Sequence, residues 1–152
     1  MDAVLHHTIR LQCSPHRAFE MFTLNPLVEQ WFPVDADIEP VVGGKFELFW
    51  DPDHKEENST LGCRVTALVP DRLLAFEWKG PVRYQGFMNA PDVLTHVVVA
   101  FFPCGDEPGC CEVHVIHSGW RNAPEWQAAR RFFAHAWDGE LLELKKVVER
   151  RP

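Results

Sequence analysis

The chain has 152 residues, 24% of them charged, and a formal charge of −7, which suits one globular domain with its own core. Phosphate contacts need clustered Lys and Arg, so this acidic balance argues against a nucleic-acid or anionic-membrane partner. Neither a secretory signal nor an apolar run of membrane-spanning length is visible, and we therefore expect a cytoplasmic protein.

The N-terminal part of the chain is predicted to form a strand followed by two short helices. Residues 2–11 alternate in polarity, which is typical of a strand. Ser14 followed by Pro15 gives an N-cap and a proline at the first helical position. The Asn-Pro pair that opens residues 25–31 repeats this start signal and predicts a second helix.

The middle of the chain is predicted to form about six strands in a meander. The predicted strands are residues 35–39, 45–50, 61–69, 72–78, 94–102 and 111–117. Short turns between successive strands favour antiparallel pairing. Residues 80–91 show no periodicity, and we expect a long loop there that gates entry to a site beneath it.

Residues 122–151 are predicted to form one long amphipathic helix. Asn122 is the expected N-cap, and Glu125 completes a capping-box pattern. Apolar residues recur every three or four positions, at Trp126, Ala129, Phe133, Trp137, Leu141, Leu144 and Val148. No other helix of comparable length is predicted, so this one must pack against the sheet. The expected fold class is α+β: a helix-grip arrangement in which a curved antiparallel sheet of about seven strands wraps around the C-terminal helix.

Six segments stand in the order and spacing of one known family. They are Ser14-Pro15-His16-Arg17-Ala18-Phe19, Asn25-Pro26 with Trp31-Phe32, Gly43-Gly44-Lys45-Phe46, Pro70-Asp71-Arg72-Leu73 through Trp78, His117-Ser118-Gly119-Trp120, and Trp137 with Leu141, Leu144 and Lys145. Through them the chain resembles the SRPBCC superfamily of START-like and birch-pollen-allergen-like proteins. Within it, the chain is similar to the branch of the heat-shock-protein-90 ATPase activator C-terminal domain. The resemblance implies one such domain over residues 1–152, with a departure at Ala136, where the family usually has glycine.

The resemblance also implies a small hydrophobic or aromatic ligand, bound between the sheet and the C-terminal helix. The residues expected to bind it are Trp31, Phe46, Leu48, Trp50, Phe76, Trp78, Val99, His117, Phe133 and Trp137. His117 and an indole N–H of Trp50 or Trp78 would orient the ligand. The alternatives are a solid aromatic core without a cavity and a structural role for His117.

Two other classes of function stay open. A cyclase-type or hydrolase-type enzyme needs a titratable group beside the ligand, and His117 and Glu77 are the candidates. A co-chaperone-like interaction module needs an exposed apolar or charged patch. The net negative charge of the chain does not point to any particular patch. No catalytic residue, cofactor or metal site is assigned, and a homodimer is left open.

The cysteines Cys104, Cys110 and Cys111 cluster around one predicted turn, close to His114. Their spacing matches no zinc ribbon or knuckle. In a cytoplasmic protein, all five cysteines of the chain are interpreted as free thiols. Cys104 and Cys110 could nevertheless face each other across the hairpin and oxidise in air.

The histidines His6 and His7 lie on the first predicted strand. In the helix-grip fold that strand neighbours the last one, so a contact with His114 is an alternative. We expect solvated strand histidines instead.

Overall fold

Seven strands and four helices make up the part of the chain that the computed structural model describes, residues 3–150. They are β1 (Leu5–Leu11), α1 (Pro15–Thr23), α2 (Asn25–Trp31), β2 (Asp35–Ile38), β3 (Phe46–Phe49), β4 (Val65–Val69), β5 (Leu73–Trp78), α3 (Gln85–Met88), β6 (Thr95–Cys104), β7 (Glu107–Ser118) and α4 (Pro124–Glu149). The ends of two predicted elements, at positions 2 and 151, lie outside the described residues.

The strands form two antiparallel sheets. The main sheet has the order β1-β7-β6-β5-β4, and β2 pairs only with β3. The backbone N–H of Phe46 donates to the carbonyl of Cys63 at 2.9 Å, so pairing continues from the edge of the main sheet into β3. The predicted α+β helix-grip fold with about seven strands is confirmed, with its strands divided between the two sheets.

The long helix α4 lies against β1 and α2 and measures about 39 Å at 1.5 Å per residue. Its buried residues are Trp126, Ala129, Phe133, Trp137, Leu141 and Leu144, and Val148 is half-buried, which confirms the predicted stripe. The N-cap is Ala123, whose side chain accepts no hydrogen bond, so the predicted capping box of Asn122 and Glu125 is wrong. Within residues 3–150, no helix is both long and apolar enough to cross a membrane.

The two short helices begin in different ways. Ser14 Oγ accepts a hydrogen bond from Arg17 N at 3.1 Å, which confirms the predicted N-cap of α1. Helix α2 begins at Asn25 itself, with Leu24 at the N-cap position, so the predicted capping role of Asn25 is wrong. The Asn25 side chain instead accepts from Ile38 N at 2.8 Å and ties α2 to β2.

Residues 80–91 are packed against the rest of the molecule. The segment contains α3, and Met88 is fully buried. Gly80 N donates to Asn89 Oδ1 at 2.7 Å, and Asn89 Nδ2 donates back to Gly80 O at 2.9 Å. A Cβ on Gly80 would lie 2.6 Å from Met88 Sδ, so a larger residue at this position would displace the buried Met88 side chain. The segment that was predicted to be a long loop therefore contains a short helix and is held by side-chain contacts, and its role as a gate stays a prediction.

The hairpin between β6 and β7 is tighter than predicted. A disulfide joins Cys104 and Cys110, whose Cα atoms are 5.3 Å apart, within the normal range for such a bond. The interpretation of all the cysteines as free thiols is therefore wrong for this pair. The free thiols are Cys13, Cys63 and Cys111.

Candidate functional site

A cavity of about 270 Å³ lies between the last residues of β5, the segment after β3 and the middle of α4. Six aromatic rings line it: Phe32, Trp50, Trp78, Phe132, Phe133 and Trp137. The remaining lining residues are Asp51, Asn58, Ser59, Lys79, Gly80, Pro81, Ala136 and Glu140. Mostly apolar walls with a few polar groups are typical of small-molecule sites, whose volumes begin near roughly 300 Å³.

Three tryptophans from different elements form the centre of this lining. The ring of Trp78, at the end of β5, lies with its centroid 5.7 Å from Trp137 and 5.9 Å from Trp50. The pair with Trp50 is edge-to-face, a favoured geometry for aromatic rings. Trp78 and Trp137 are buried and belong to the deep wall of the cavity. Trp50 is half-buried and lies at the outer side, where it meets solvent.

The buried indole of Trp137 is fixed by His117. Trp137 Nε1 donates to His117 Nδ1 at 3.1 Å. An indole N–H can only donate, so Nδ1 accepts and the imidazole proton resides on Nε2. That N–H faces Thr95 Oγ1 at 2.9 Å and donates to it. Both ring nitrogens of His117 are therefore satisfied within the core.

Full burial holds His117 in its neutral form. Desolvation by burial lowers the pKa of His117 to about 3, and the nearby positive charges of His7 and His96 contribute to the decrease. Trp120 completes the surroundings, because its Nε1 donates to the backbone carbonyl of His117 at 3.0 Å. His117 is a neutral, fully bonded support behind the cavity wall.

The indole of Trp78 differs in one respect. Its Nε1 is buried and finds no hydrogen-bond partner among residues 3–150. A buried donor without a partner costs about 1–3 kcal/mol. This cost falls on a residue that lines the cavity.

The ten residues predicted to bind the ligand divide into two groups. Four line the cavity: Trp50, Trp78, Phe133 and Trp137. Six are buried in the core and do not line it: Trp31, Phe46, Leu48, Phe76, Val99 and His117. Two of these six, Phe46 and Phe76, stack with their ring centroids 3.7 Å apart and so belong to the packed interior.

The main residues that the sequence reasoning missed lie on α4 and after α2. Phe132, Ala136 and Glu140 recur every four residues, beside the buried row that contains Phe133 and Trp137. This four-residue spacing is a helical signal, but the row lies beside the most apolar stripe of α4 and was therefore not included in the predicted site. Phe32 lies at the C-cap of α2, where neither helical nor strand periodicity applies.

The two candidates for acid–base chemistry do not line the cavity. Both nitrogens of His117 are bonded as described. Glu77 Oε1 accepts from Arg64 N at 3.0 Å, between β5 and the start of β4. Neither group is therefore available to a bound molecule in this arrangement.

A histidine contact lies on the outer face of the main sheet. His6 Nε2 and His114 Nδ1 are 2.8 Å apart, and His114 Nε2 lies 2.8 Å from Glu112 Oε1. The contact with His114 is thus present for His6, while His7 Nδ1 instead lies 2.9 Å from Asp138 Oδ1. Within the described range, no group of three or more His, Cys, Asp or Glu side chains is placed to hold a metal ion.

A second depression of about 540 Å³ adjoins the cavity and shares Ser59 and Lys79 with it. Its other lining residues are Glu56, Leu61, Gln85, Gly86, Asn89 and Ala90, most of them exposed. It has no aromatic lining. The smaller aromatic cavity is therefore the better candidate for a binding site.

Comparisons with known proteins agree with this architecture. A family model described as "Activator of Hsp90 ATPase homolog 1-like protein" matches residues 12–149. No curated protein sequence matches the chain.

Several solved structures share the fold. A protein from Mesorhizobium loti has a TM-score of 0.77 at 20% identity, covering 99% of both chains. The Aha1 dimer from Colwellia psychrerythraea has a TM-score of 0.69 at 20% identity, covering 97% of this chain and 96% of its own. An HSP90 activator from Plasmodium falciparum has a TM-score of 0.71 at 15% identity, with 95% and 94% covered.

Proposed function

We propose that this chain, which belongs to the Activator of Hsp90 ATPase homolog 1-like protein family, binds a small hydrophobic or aromatic molecule between its sheet and α4. The observation that supports the proposal is the cavity of about 270 Å³ with six aromatic rings in its lining. Burial of apolar surface would supply most of the affinity, at roughly 25 cal/mol per Å² before ordering costs.

Rigidity of the deep wall also favours binding. Trp137 is bonded to His117, and Phe133 packs near the same imidazole with ring centroids 5.5 Å apart. Neither ring needs to be ordered when a ligand enters. Preorganisation of this kind removes part of the entropic cost of association.

Trp78 is the candidate to orient the ligand. Its buried Nε1 is an unused donor, while the ring itself lines the cavity. A ligand acceptor that reached this N–H would remove the cost of leaving it unpaired. His117 contributes indirectly, by fixing the ring of Trp137.

The test uses N-phenyl-1-naphthylamine, an uncharged probe whose fluorescence rises in apolar sites. We expect saturable binding to the purified protein at one site. Ala136→Phe places a ring into the cavity from the middle of α4, and it should weaken probe binding by roughly tenfold or more.

Leu142→Phe is the matched control. It adds the same ring to the same helix, at a side chain that is 56% exposed. Probe affinity should remain at the wild-type value in this variant. Absence of saturable binding, or equal affinity in the Ala136→Phe protein, would contradict the proposal.

A second candidate function is co-chaperone-like association. It is favoured by the family description and by the structural similarity to an HSP90 activator from Plasmodium falciparum. The test is the ATPase rate of an Hsp90 from the same host, with and without a molar excess of this protein. Stimulation supports the candidate, and an unchanged rate together with no detectable complex counts against it.

Self-association is a separate proposal about partners. It is supported by the relative from Colwellia psychrerythraea, which is described as a dimer. Sedimentation velocity across a concentration series should show a dimer. A monomer at every concentration would exclude a homodimer under those conditions.

A further inference from the structure

We infer that the cavity selects molecules with a positive charge beside their apolar or aromatic body. The inference rests on the proposed function and names the ligand class for the same site. It is carried by a carboxylate without a partner in the cavity lining, by the balance of charge around that carboxylate and by the aromatic faces beside it.

The carboxylate belongs to Glu140. Its side chain is half-buried, lines the cavity and makes no hydrogen bond or ion pair with any residue between positions 3 and 150. Helical neighbours three and four positions away could supply a partner, but none of them is a cation. They are Ala136, Trp137, Glu143 and Leu144. Burial raises the pKa of Glu140, and the charge of Glu143 adds to the increase.

The other charged groups in the lining do not neutralise Glu140. Asp51 is a second carboxylate, and its Oδ2 lies 2.9 Å from Nδ1 of the exposed His54. Lys79 is the one cation among the lining residues, and its Nζ donates to the carbonyl of Leu61 at 2.6 Å. The lining thus holds two carboxylates and one ammonium that is bonded elsewhere, which favours a positive ligand.

The aromatic rings favour the same sign of charge. Tryptophan faces attract cations placed within about 6 Å of the ring, and the attraction increases where water is excluded. Trp137 lies three residues before Glu140, so the two side chains are neighbours on α4. An ammonium between them would contact a ring face and a carboxylate together. A ligand carboxylate in the same position would face the like charge of Glu140.

The experiment compares three ligands that share one ring system. They are 1-naphthylmethylamine, which is a cation at neutral pH, 1-naphthalenemethanol, which is neutral, and 1-naphthoic acid, which is an anion. Calorimetric titration of the wild-type protein should give the tightest binding for the amine, roughly tenfold tighter than the alcohol, and the weakest for the acid.

Two isosteric variants locate the effect. Glu140→Gln should remove most of the preference for the amine over the alcohol. Glu143→Gln removes the same charge from an exposed position on α4, where it pairs with Lys146 at 3.1 Å, and should keep the preference.

Failure of this inference can be told apart from failure of the proposed function. Equal binding of the alcohol and the amine, or a preference for the amine that survives Glu140→Gln, would overturn the inference and leave the binding function standing. If none of the three ligands binds the wild-type protein, both are overturned.

Discussion

The aromatic cluster of this protein has two ends, which differ in whether their polar atoms have hydrogen-bond partners. At the closed end, formed by His117, Thr95, Trp120 and Trp137, the two indole N–H groups and both imidazole nitrogens are paired. At the open end, which is the lining of the cavity around Trp78 and Glu140, a buried indole N–H and a half-buried carboxylate have no partner among residues 3–150. Buried polar groups in folded proteins are nearly all bonded. The closed end is therefore bonded as a structural support, and the unpaired groups of the open end are consistent with the proposed binding site.

Removal of the His117 imidazole, the central group of the closed end, should have the largest effect on stability. His117→Ala leaves the donor of Trp137 and the hydroxyl of Thr95 without partners and opens a void in a fully buried region. Loss of about 3–5 kcal/mol in the free energy of unfolding is expected. Urea denaturation followed by circular dichroism measures it.

The matched control for this variant is His96→Ala, at an exposed position on the adjacent strand β6. Its stability should stay within about 0.5 kcal/mol of wild type. A loss below about 1 kcal/mol in the His117→Ala protein would mean that the closed end is not a structural support.

The second-largest expected effect is a loss of stability on acidification, caused by His117 in the closed end. The pKa of His117 lies near 3 in the folded protein because the ring is buried, against an ordinary value of 6.5 in the unfolded chain. Between these values the unfolded state binds the extra proton, so stability falls as the pH falls from about 6.5 towards 3. Between pH 7 and pH 5 the expected loss from this group is about 2 kcal/mol.

A variant without the imidazole isolates that contribution. His117→Gln retains a polar side chain but cannot titrate, so its unfolding free energy should fall less between pH 7 and pH 5 than that of the wild type. The other titrating groups are common to both proteins and cancel in the difference. Identical pH slopes would show that His117 is not protonated on unfolding in this range.

A pair of Trp→Phe variants compares the two ends directly. Trp137→Phe and Trp78→Phe each replace an indole by a smaller phenyl ring, at residues that are both 3% exposed. Only Trp137→Phe breaks a hydrogen bond, whereas Trp78→Phe deletes a donor that has no partner. We expect Trp137→Phe to be the more destabilising by about 1.5 kcal/mol, measured by denaturation in urea.

The reverse order of stabilities would contradict the comparison, because it would mean that the Trp78 donor is the satisfied one. Addition of N-phenyl-1-naphthylamine provides a further check on the same two proteins. Replacement of either indole by the smaller phenyl ring should weaken probe binding, since Trp78 and Trp137 both line the cavity.

The closed end was easier to predict from the sequence than the open end. The alternation of β7 placed His117 on the inner face beside Val113 and Val115, and all three are buried. The helical stripe placed Trp137 on the same interior. Periodicity identifies residues that face a core, and the closed end consists largely of such residues.

The open end depends on features that periodicity does not contain. Phe32 lies past the end of α2, where no repeat predicts a direction, whereas Trp50 was still within the strand predicted over residues 45–50. Gly80 reaches the cavity because Asn89 and Met88 hold its segment in place through side-chain contacts. Alternation also cannot separate a ring that fills the core, such as Phe76, from one that borders empty space, such as Trp78. That difference depends on how the volumes of neighbouring side chains add up.

The smallest predicted effect concerns Ala136. Its methyl group lines the cavity in the middle of α4. Ala136→Gly should lower the free energy of unfolding by about 1 kcal/mol, because glycine has a lower helix propensity, and should enlarge the open end by the volume of a methyl group. Methyl-substituted naphthalenemethanol should then gain affinity relative to the unsubstituted alcohol in a calorimetric titration.

Ala128→Gly makes the same change on α4 at a residue outside the cavity lining, so it should show the stability loss without the shift in ligand preference. An identical preference in the two glycine variants would show that Ala136 does not limit the size of the bound molecule.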